Sequence, residues 1–334
     1  MSNPPTSDRP TVAARVDGDA SEYPTELLNL PWIDVHNHAH TLSWTDREQY
    51  ALAGCQAMIM VASGNHWIPY KPARAEDFRY LWDQAIDRRV AIARNHFFDP
   101  HLAIGIQTGV RVENPQSLLD AMDTYCDTEA VVAIGETGIR PTQQAEAWEF
   151  DEQRAVVEGQ MTVAARHGLP VILHTPSRLG GTDREYRDGI DIPGYEKLTT
   201  LDQPPVMDAD RPELAAAQLD IEAASAAGFP ENRIVASHAD PDNLDYLLAE
   251  TDCYASFTIG NGWLTGVTVE TVAEAIDAYG PDRIMLDTDA ANVMRSDVSS
   301  IKRAMFELYR LGVEMDAIQQ VVLDNPRTVF DIGT

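Results

Sequence analysis

From about residue 32 onward, short and nearly unbroken apolar runs alternate with longer amphipathic stretches. The runs are Trp32–Val35, Ala57–Val61, Leu102–Ile106, Val131–Gly135, Pro170–Leu173, Arg233–Ser237, Cys253–Thr258 and Arg283–Leu286. Runs apolar on both faces predict parallel strands, because crossover helices cover both sides of such a sheet. Helical periodicity fills the intervals, at Asp46–Ala53, Ala75–His96, Gln116–Tyr125, Ala147–His167, Pro212–Ala227, Asn243–Ala249, Val269–Tyr279 and Val298–Tyr309. An eightfold strand–helix alternation without a long polar linker predicts a closed (β/α)₈ barrel of the TIM type in preference to an open doubly wound sheet. No GxGxxG or GxxxxGK[ST] loop follows the first strand, which argues against dinucleotide and P-loop sites.

The pattern fails in two places. Residues 1–28 are rich in Pro, Ser, Asp and Glu and carry no sustained apolar period, so they predict a flexible acidic arm ahead of a single barrel domain over 29–334. Length alone also permits two ordinary domains. The other gap is an irregular stretch at about 177–210, with Gly180-Gly181, Tyr186, Pro193-Gly194, Tyr195 and Pro204-Pro205. A loop of this length is a lid, a binding loop or disorder, and the two tyrosines favour a substrate-facing role. The last stretch, Met315–Thr334, reads as a short helix and a tail that closes the barrel.

Charge changes the picture next. Asp and Glu number 53 against 25 Lys and Arg, for a net charge of −28, and lysine occurs only at 71, 197 and 302. Such a surface repels itself, nucleic acid and anionic lipid in dilute buffer. In molar salt the Debye length falls to about 3 Å and the repulsion largely disappears, so the composition reads as adaptation to a salt-loaded cytoplasm; a mesophilic acidic protein is the alternative. Cys55, Cys126 and Cys253 form no CxxC pair and read as core residues in a reducing compartment. With neither a signal-peptide pattern nor an apolar window of about 18 residues, a soluble, cytoplasmic protein with no membrane partner is expected.

The chemistry concentrates at predicted strand ends. Asp34-Val35-His36-Asn37-His38-Ala39-His40 closes the first strand, where a period of two sends His36 and His38 to one side, both able to reach one metal. His40 continues the spacing but reads as a loop residue. His174 and His238 follow the fifth and sixth strands. Glu136 follows the fourth, and a buried carboxylate there costs several kcal/mol unless it meets a cation or donors, so it reads as a bridge between two metals. Asp287 and Asp289 end the last strand and share a face, though only one need touch metal. Four histidines with two carboxylates suit two divalent ions, Zn²⁺ or Mn²⁺ with Mg²⁺ as a further option, better than Ca²⁺. No lysine sits at a strand end between Glu136 and His174, so a carboxylated-lysine bridge has no candidate.

His36-Asn37-His38, Ile134-Gly135-Glu136-Thr137-Gly138, Leu169-Pro170-Val171-Ile172-Leu173-His174, Ser237-His238 and Leu286-Asp287-Thr288-Asp289-Ala290 occur in this order after successive strands. Together they resemble the signatures of the TatD-like metal-dependent hydrolases of the amidohydrolase superfamily. The closing Asn325-Pro326-Arg327-Thr328-Val329-Phe330 is similar to that family's tail, so the resemblance spans about residues 32–330. It implies His36, His38 and Asp289 on one metal, His174 and His238 on the other, and Glu136 between them. It also implies Asp289 as the water-activating carboxylate, with Asp287 supporting from behind.

Departures fall on the substrate side: Gln107-Thr108-Gly109-Val110-Arg111 after the third strand, Ile139-Arg140 after the fourth, and Thr175-Pro176-Ser177-Arg178 after the fifth. They resemble an archaeal predicted-hydrolase subgroup better than the deoxyribonuclease members. Arg140 and Arg178 are candidate anion contacts. The resemblance implies phosphodiester hydrolysis, with a nuclease as one form of it. The acidic surface and the lack of a basic stripe with interleaved aromatics speak against a nucleic-acid track. A small amide, ester or lactone is the alternative substrate, and an inactive binding barrel is disfavoured because every ligand position holds a competent residue.

Overall fold

The computed structural model describes residues 24–64, 72–108, 112–139, 150–175, 212–260, 267–292 and 296–333. Its eight strands are β1 (Trp32–Asn37), β2 (Cys55–Ala62), β3 (Asp99–Ile104), β4 (Val131–Thr137), β5 (Val171–His174), β6 (Ile234–Ser237), β7 (Tyr254–Thr258) and β8 (Ile284–Asp287). Each pairs in parallel with the next, in the order β1 to β8. Helices α1 (Thr25–Asn29), α2 (Trp44–Leu52), α3 (Ala75–Asn95), α4 (Pro115–Tyr125), α5 (Phe150–His167), α6 (Pro212–Ala226), α7 (Val269–Tyr279), α8 (Ser300–Arg310), α9 (Met315–Gln319) and α10 (Asn325–Phe330) surround them. This is the TIM-type barrel that the alternation predicts. Trp32, Met58, Ile59, Leu102, Ile134, Ile172, Val235, Phe257 and Met285 are all buried. That burial is why the strands read as continuous apolar runs: inward residues fill the barrel while outward ones meet the helices.

Between β8 and β1 the curved sheet meets itself at a seam stitched at its C-terminal end. Asp289 N–H donates to the His36 carbonyl at 2.9 Å and His38 N–H to the Ala290 carbonyl at 2.8 Å. Just below, the buried Asp34 carboxyl accepts from Thr288 N–H (3.1 Å), Thr288 Oγ1 (2.6 Å) and Tyr50 Oη (2.9 Å). The tail fastens the opposite end: Asn325 Nδ2 donates to the Pro281 and Ile284 carbonyls, each at 2.8 Å.

Three expectations are corrected. The arm does not extend to residue 28, because α1 buries Leu27 completely, and Lys302 Nζ donates to the carbonyls of Leu27, Leu28 and Leu30 at its C-terminal end. β3 begins at Asp99 and ends at Ile104, since its ladder with β2 already pairs Ala57 with Asp99 despite the polar start. The helix expected at Asn243–Ala249 is present but starts at Leu244 and, from Tyr246 to Glu250, is wound as a π-helix. Ahead of it Asp240 Oδ1 accepts from Asp242 N–H and Asn243 N–H, and this local turn competes with the first helical turn. No helix among the described residues is long and apolar enough to cross a membrane. The three cysteines are free and buried. Residues 1–23 and 176–211, and with them most of the predicted arm and the whole 177–210 loop, lie outside the described residues.

Candidate metal centre

All six predicted ligands sit at the C-terminal ends of the strands, the end at which barrel active sites form. His36 lies in β1 and His38 just beyond it; Glu136 is the penultimate residue of β4, His174 the last of β5 and Asp287 the last of β8. His238 follows β6 and Asp289 stands two residues past β8, both with left-handed backbone, φ 64° and 44°. Such φ values are sparsely populated outside Gly and Asn and cost about 1–3 kcal/mol where the surroundings enforce them. Glycine makes room for Glu136: a Cβ on Gly105 would come 2.5 Å from the Gly135 carbonyl carbon and 2.6 Å from the Glu136 carbonyl oxygen.

The side chains converge. His38 Nε2 lies 3.2 Å from Asp289 Oδ1 and 3.8 Å from Glu136 Oε2; His36 Nε2 lies 3.4 Å from Glu136 Oε2 and 3.7 Å from Asp289 Oδ1. His174 Nδ1 contacts Glu136 Oε1, and His238 Nε2 lies 3.2 Å from His174 Nδ1. Two groups, His36–His38–Asp289 and His36–Glu136–His238, each bring one ligand atom per residue within 4.8 Å of the others. His36 is common to both. His174 touches Glu136 and His238 without belonging to either group, and Asp287 stands behind the cluster.

What holds the imidazoles is a ring of contacts on the far side. Nδ1 of His36 meets Ser237 Oγ at 2.6 Å, Nδ1 of His38 meets the Val61 carbonyl at 2.9 Å, and Nδ1 of His238 meets Thr258 Oγ1 at 2.7 Å. A carbonyl can only accept, so His38 donates its Nδ1–H to Val61 and turns Nε2 inward toward the carboxylates. Ser237 Oγ donates to Asp287 Oδ2 at 3.1 Å, as does Ser256 Oγ at 2.5 Å, which leaves Ser237 to accept from His36 Nδ1–H. Asp287 thus orients His36 through Ser237. Sequence reasoning missed Ser237, Thr258 and Val61 in these roles. It also missed Asp220, a buried α6 carboxylate that takes the Ile139 N–H at 2.7 Å and fixes the turn after Glu136. Ser237→Ala should lower zinc affinity about 10–100-fold, the usual cost of losing a contact behind a ligand. A zinc titration checks this, and unchanged affinity would disprove the relay.

Electrostatically the cluster is a cation site. Burial opposes charge on His36, but Glu136, Asp289 and Asp287 outweigh it and raise its pKa to about 10. Burial likewise opposes ionisation of Glu136 and Asp289, yet His174 and His36 hold the first well below the usual carboxylate range, and His38, His36 and His238 lower the second. Burial, with His174 beside it, drops His238 to about 3. Asp287 is shifted up, chiefly by burial. The donor set passes the test for a divalent ion: His36 Nε2 and Glu136 Oε2 are buried without a hydrogen bond, facing each other across the cluster. Mixed imidazole and carboxylate donors suit Zn²⁺ and similar ions. The expected anion contacts Arg140 and Arg178 lie outside the described residues.

Comparison with known proteins bears on the family and the fold. A sequence model of the family described as TatD related DNase matches residues 33–331. An uncharacterized metal-dependent hydrolase of Methanocaldococcus jannaschii is 23% identical over 298 residues, covering 89% of this chain and 99% of that protein. Among solved structures, a TatD-like protein from Archaeoglobus fulgidus superposes with a TM-score of 0.59 at 19% identity, over 90% of this chain and 100% of that one. A β-aspartyl dipeptidase from Fervidobacterium islandicum gives 0.60 at 13% identity, over 91% and 73%; at such identities these likenesses concern the fold. The motif order, the cluster at the strand ends and the match over nearly the whole barrel together place this chain in the TatD family of metal-dependent hydrolases.

Proposed function

We propose that the protein hydrolyses a phosphodiester with two divalent ions, Zn²⁺ or Mn²⁺, held by His36, His38, Glu136, His174, His238 and Asp289. The observation that carries this reading is the pair of overlapping ligand groups sharing His36, with Glu136 in one and beside the other. Two adjacent cations suit a diester, whose attacking and leaving oxygens both need charge stabilisation. When bound, the ions supply Lewis acidity toward water and the scissile group. The protein does the rest. Asp289, kept ionised by the surrounding histidines, accepts the proton from the attacking water at a carboxylate oxygen. Glu136 holds the imidazoles in place from the centre of the cluster. The family's description as DNases supports the diester assignment.

A second reading, hydrolysis of a small amide, ester or lactone, is favoured by the net charge of −28, which repels a polyanion at low salt. Turnover of bis-p-nitrophenyl phosphate, short single-stranded DNA, aryl esters and lactones, each with Mn²⁺, Zn²⁺ or Mg²⁺ in molar salt, separates the two. Chelator-sensitive cleavage of the diesters is expected. Ester or lactone turnover without diester cleavage would establish the second reading.

The same charge supports a halophilic, cytoplasmic setting. On that proposal, transfer from molar salt to dilute buffer exposes the self-repulsion and the protein loses compactness. An unchanged circular dichroism melt across that range would count against it.

A further inference from the structure

An acid stands where α6 should carry only apolar residues. Ala217, Asp220, Ile221 and Ala224 follow the i, i+3, i+4, i+7 spacing of a packed helical face, and all four are buried. Asp220 Oδ1 accepts the Ile139 N–H at 2.7 Å, while Oδ2 has no hydrogen bond. Burial pushes the carboxyl well above its usual pKa range, and the Ile139 N–H opposes the shift only in part. Such a group is held as the neutral acid, because burial disfavours the charged form.

The contact falls three residues past Glu136, on a turn gripped at each step. Gln160 Nε2 of α5 donates to Thr137 Oγ1 at 2.5 Å, Thr108 Oγ1 donates to the Gly138 carbonyl at 2.6 Å, and Asp220 takes the next N–H. Gly138 is wedged between β5 and α6: a Cβ there would come 2.8 Å from the His174 carbonyl oxygen and 3.0 Å from Asp220 Oδ2. The Asp220 carboxyl therefore abuts the chain leaving Glu136 on the side away from the His174 backbone. Glu136 and His174 in turn touch side chain to side chain.

We propose that Asp220 is a positioning residue of the metal centre: by holding the end of β4 against the end of β5 it sets the spacing between Glu136 and His174. This role rests on the two-metal reading for the use made of that spacing. It requires of residue 220 an uncharged acceptor of this size, which asparagine supplies and leucine, of similar bulk, does not.

The test uses the full chain in molar KCl, as wild type, Asp220→Asn and Asp220→Leu. Zinc affinity is titrated, melting temperatures are taken without metal, and the imidazole nitrogen signals of His174 are recorded by NMR in metal-free, histidine-labelled protein, with His174→Gln identifying them. Asp220→Asn should bind zinc as wild type does and leave the His174 signals in place. Asp220→Leu should weaken zinc about 10–100-fold, the usual cost of losing a contact behind a metal ligand, and should move the His174 signals while remaining folded. Asp220→Ala, which removes the acceptor without adding bulk, takes its place if the leucine chain does not fold, with the same outcomes expected. A folded variant lacking the acceptor, with wild-type zinc affinity and unmoved signals, would reduce Asp220 to packing. A loss in Asp220→Asn as large as in Asp220→Leu would show that the carboxyl acts through its charge; either result overturns the positioning role. If wild type takes up no zinc, the metal centre fails alone: His174 signals that move in the leucine variant and not in the asparagine one keep the positioning, and unmoved signals end it.

Discussion

Replacing Asp289 with Asn should lower the turnover number by on the order of 10² to 10⁴ while metal content falls much less. The substitution keeps size and shape, and asparagine tolerates the left-handed φ of 44° as well as aspartate does, so the turn after β8 should persist. What disappears is the basic oxygen near His36 and His38. A positioned proton acceptor is worth that range of rate, whereas the four histidines and Glu136 remain to bind metal. Metal stoichiometry and turnover for Asp289→Asn and Asp287→Asn, measured side by side at saturating Mn²⁺, decide the matter. Asp287 reaches the cluster through hydroxyls, Ser237 behind His36 and Thr258 behind His238, so its variant should chiefly lose affinity for the ion. Near-normal turnover in Asp289→Asn with collapse in Asp287→Asn would show the wrong carboxylate had been chosen.

The second large effect is expected at His36, the one residue common to both ligand groups. Without it neither group is complete, so His36→Ala should lose more zinc affinity than the 10–100-fold typical of changes behind the ligands. Thermal melts give a readout that needs no substrate. An ion that binds only the folded state stabilises it by about 2.7 kcal/mol at a hundred times its dissociation constant, so zinc should raise the wild-type melting temperature. In His36→Ala that rise should vanish. The metal-free variant should also melt lower than metal-free wild type, because Glu136 loses a buried cationic neighbour and breaking a buried pair costs about 3–5 kcal/mol. A full zinc-dependent rise in the variant would sink the proposed centre.

Much of this was legible because it follows from periodicity along single segments. Apolar runs mark strands buried on both faces, and a spacing of two puts His36 and His38 on one side of β1. What lies between strands was not legible. The stagger of parallel strands sets His174 opposite Ser237, Ser237 opposite Ser256, and Thr258 opposite Asp287. That register builds the hydroxyl row linking Asp287 to His36, and no spacing within one strand encodes it. His174 shows the same limit: its position at the end of β5 was readable, but its contact with both Glu136 and His238 depends on how three strands lie together. The turn at Asp240–Asn243 escaped because an apolar period cannot reveal that a side chain caps the backbone before the helix starts.

The seam between β8 and β1 gives the candidate centre a mechanical meaning. A barrel is a hoop, and its ends here are the first and last strands of the chain, joined at the rim by two backbone bonds and an aspartate knot. His36 and His38 stand on one lip and Asp289 on the other, so an ion held by all three would act as a rivet across that split. Extracting it would slacken the hoop where its first and last strands meet, far along the sequence from β4 and β5. Catalytic competence and the roundness of the barrel would then rise and fall together.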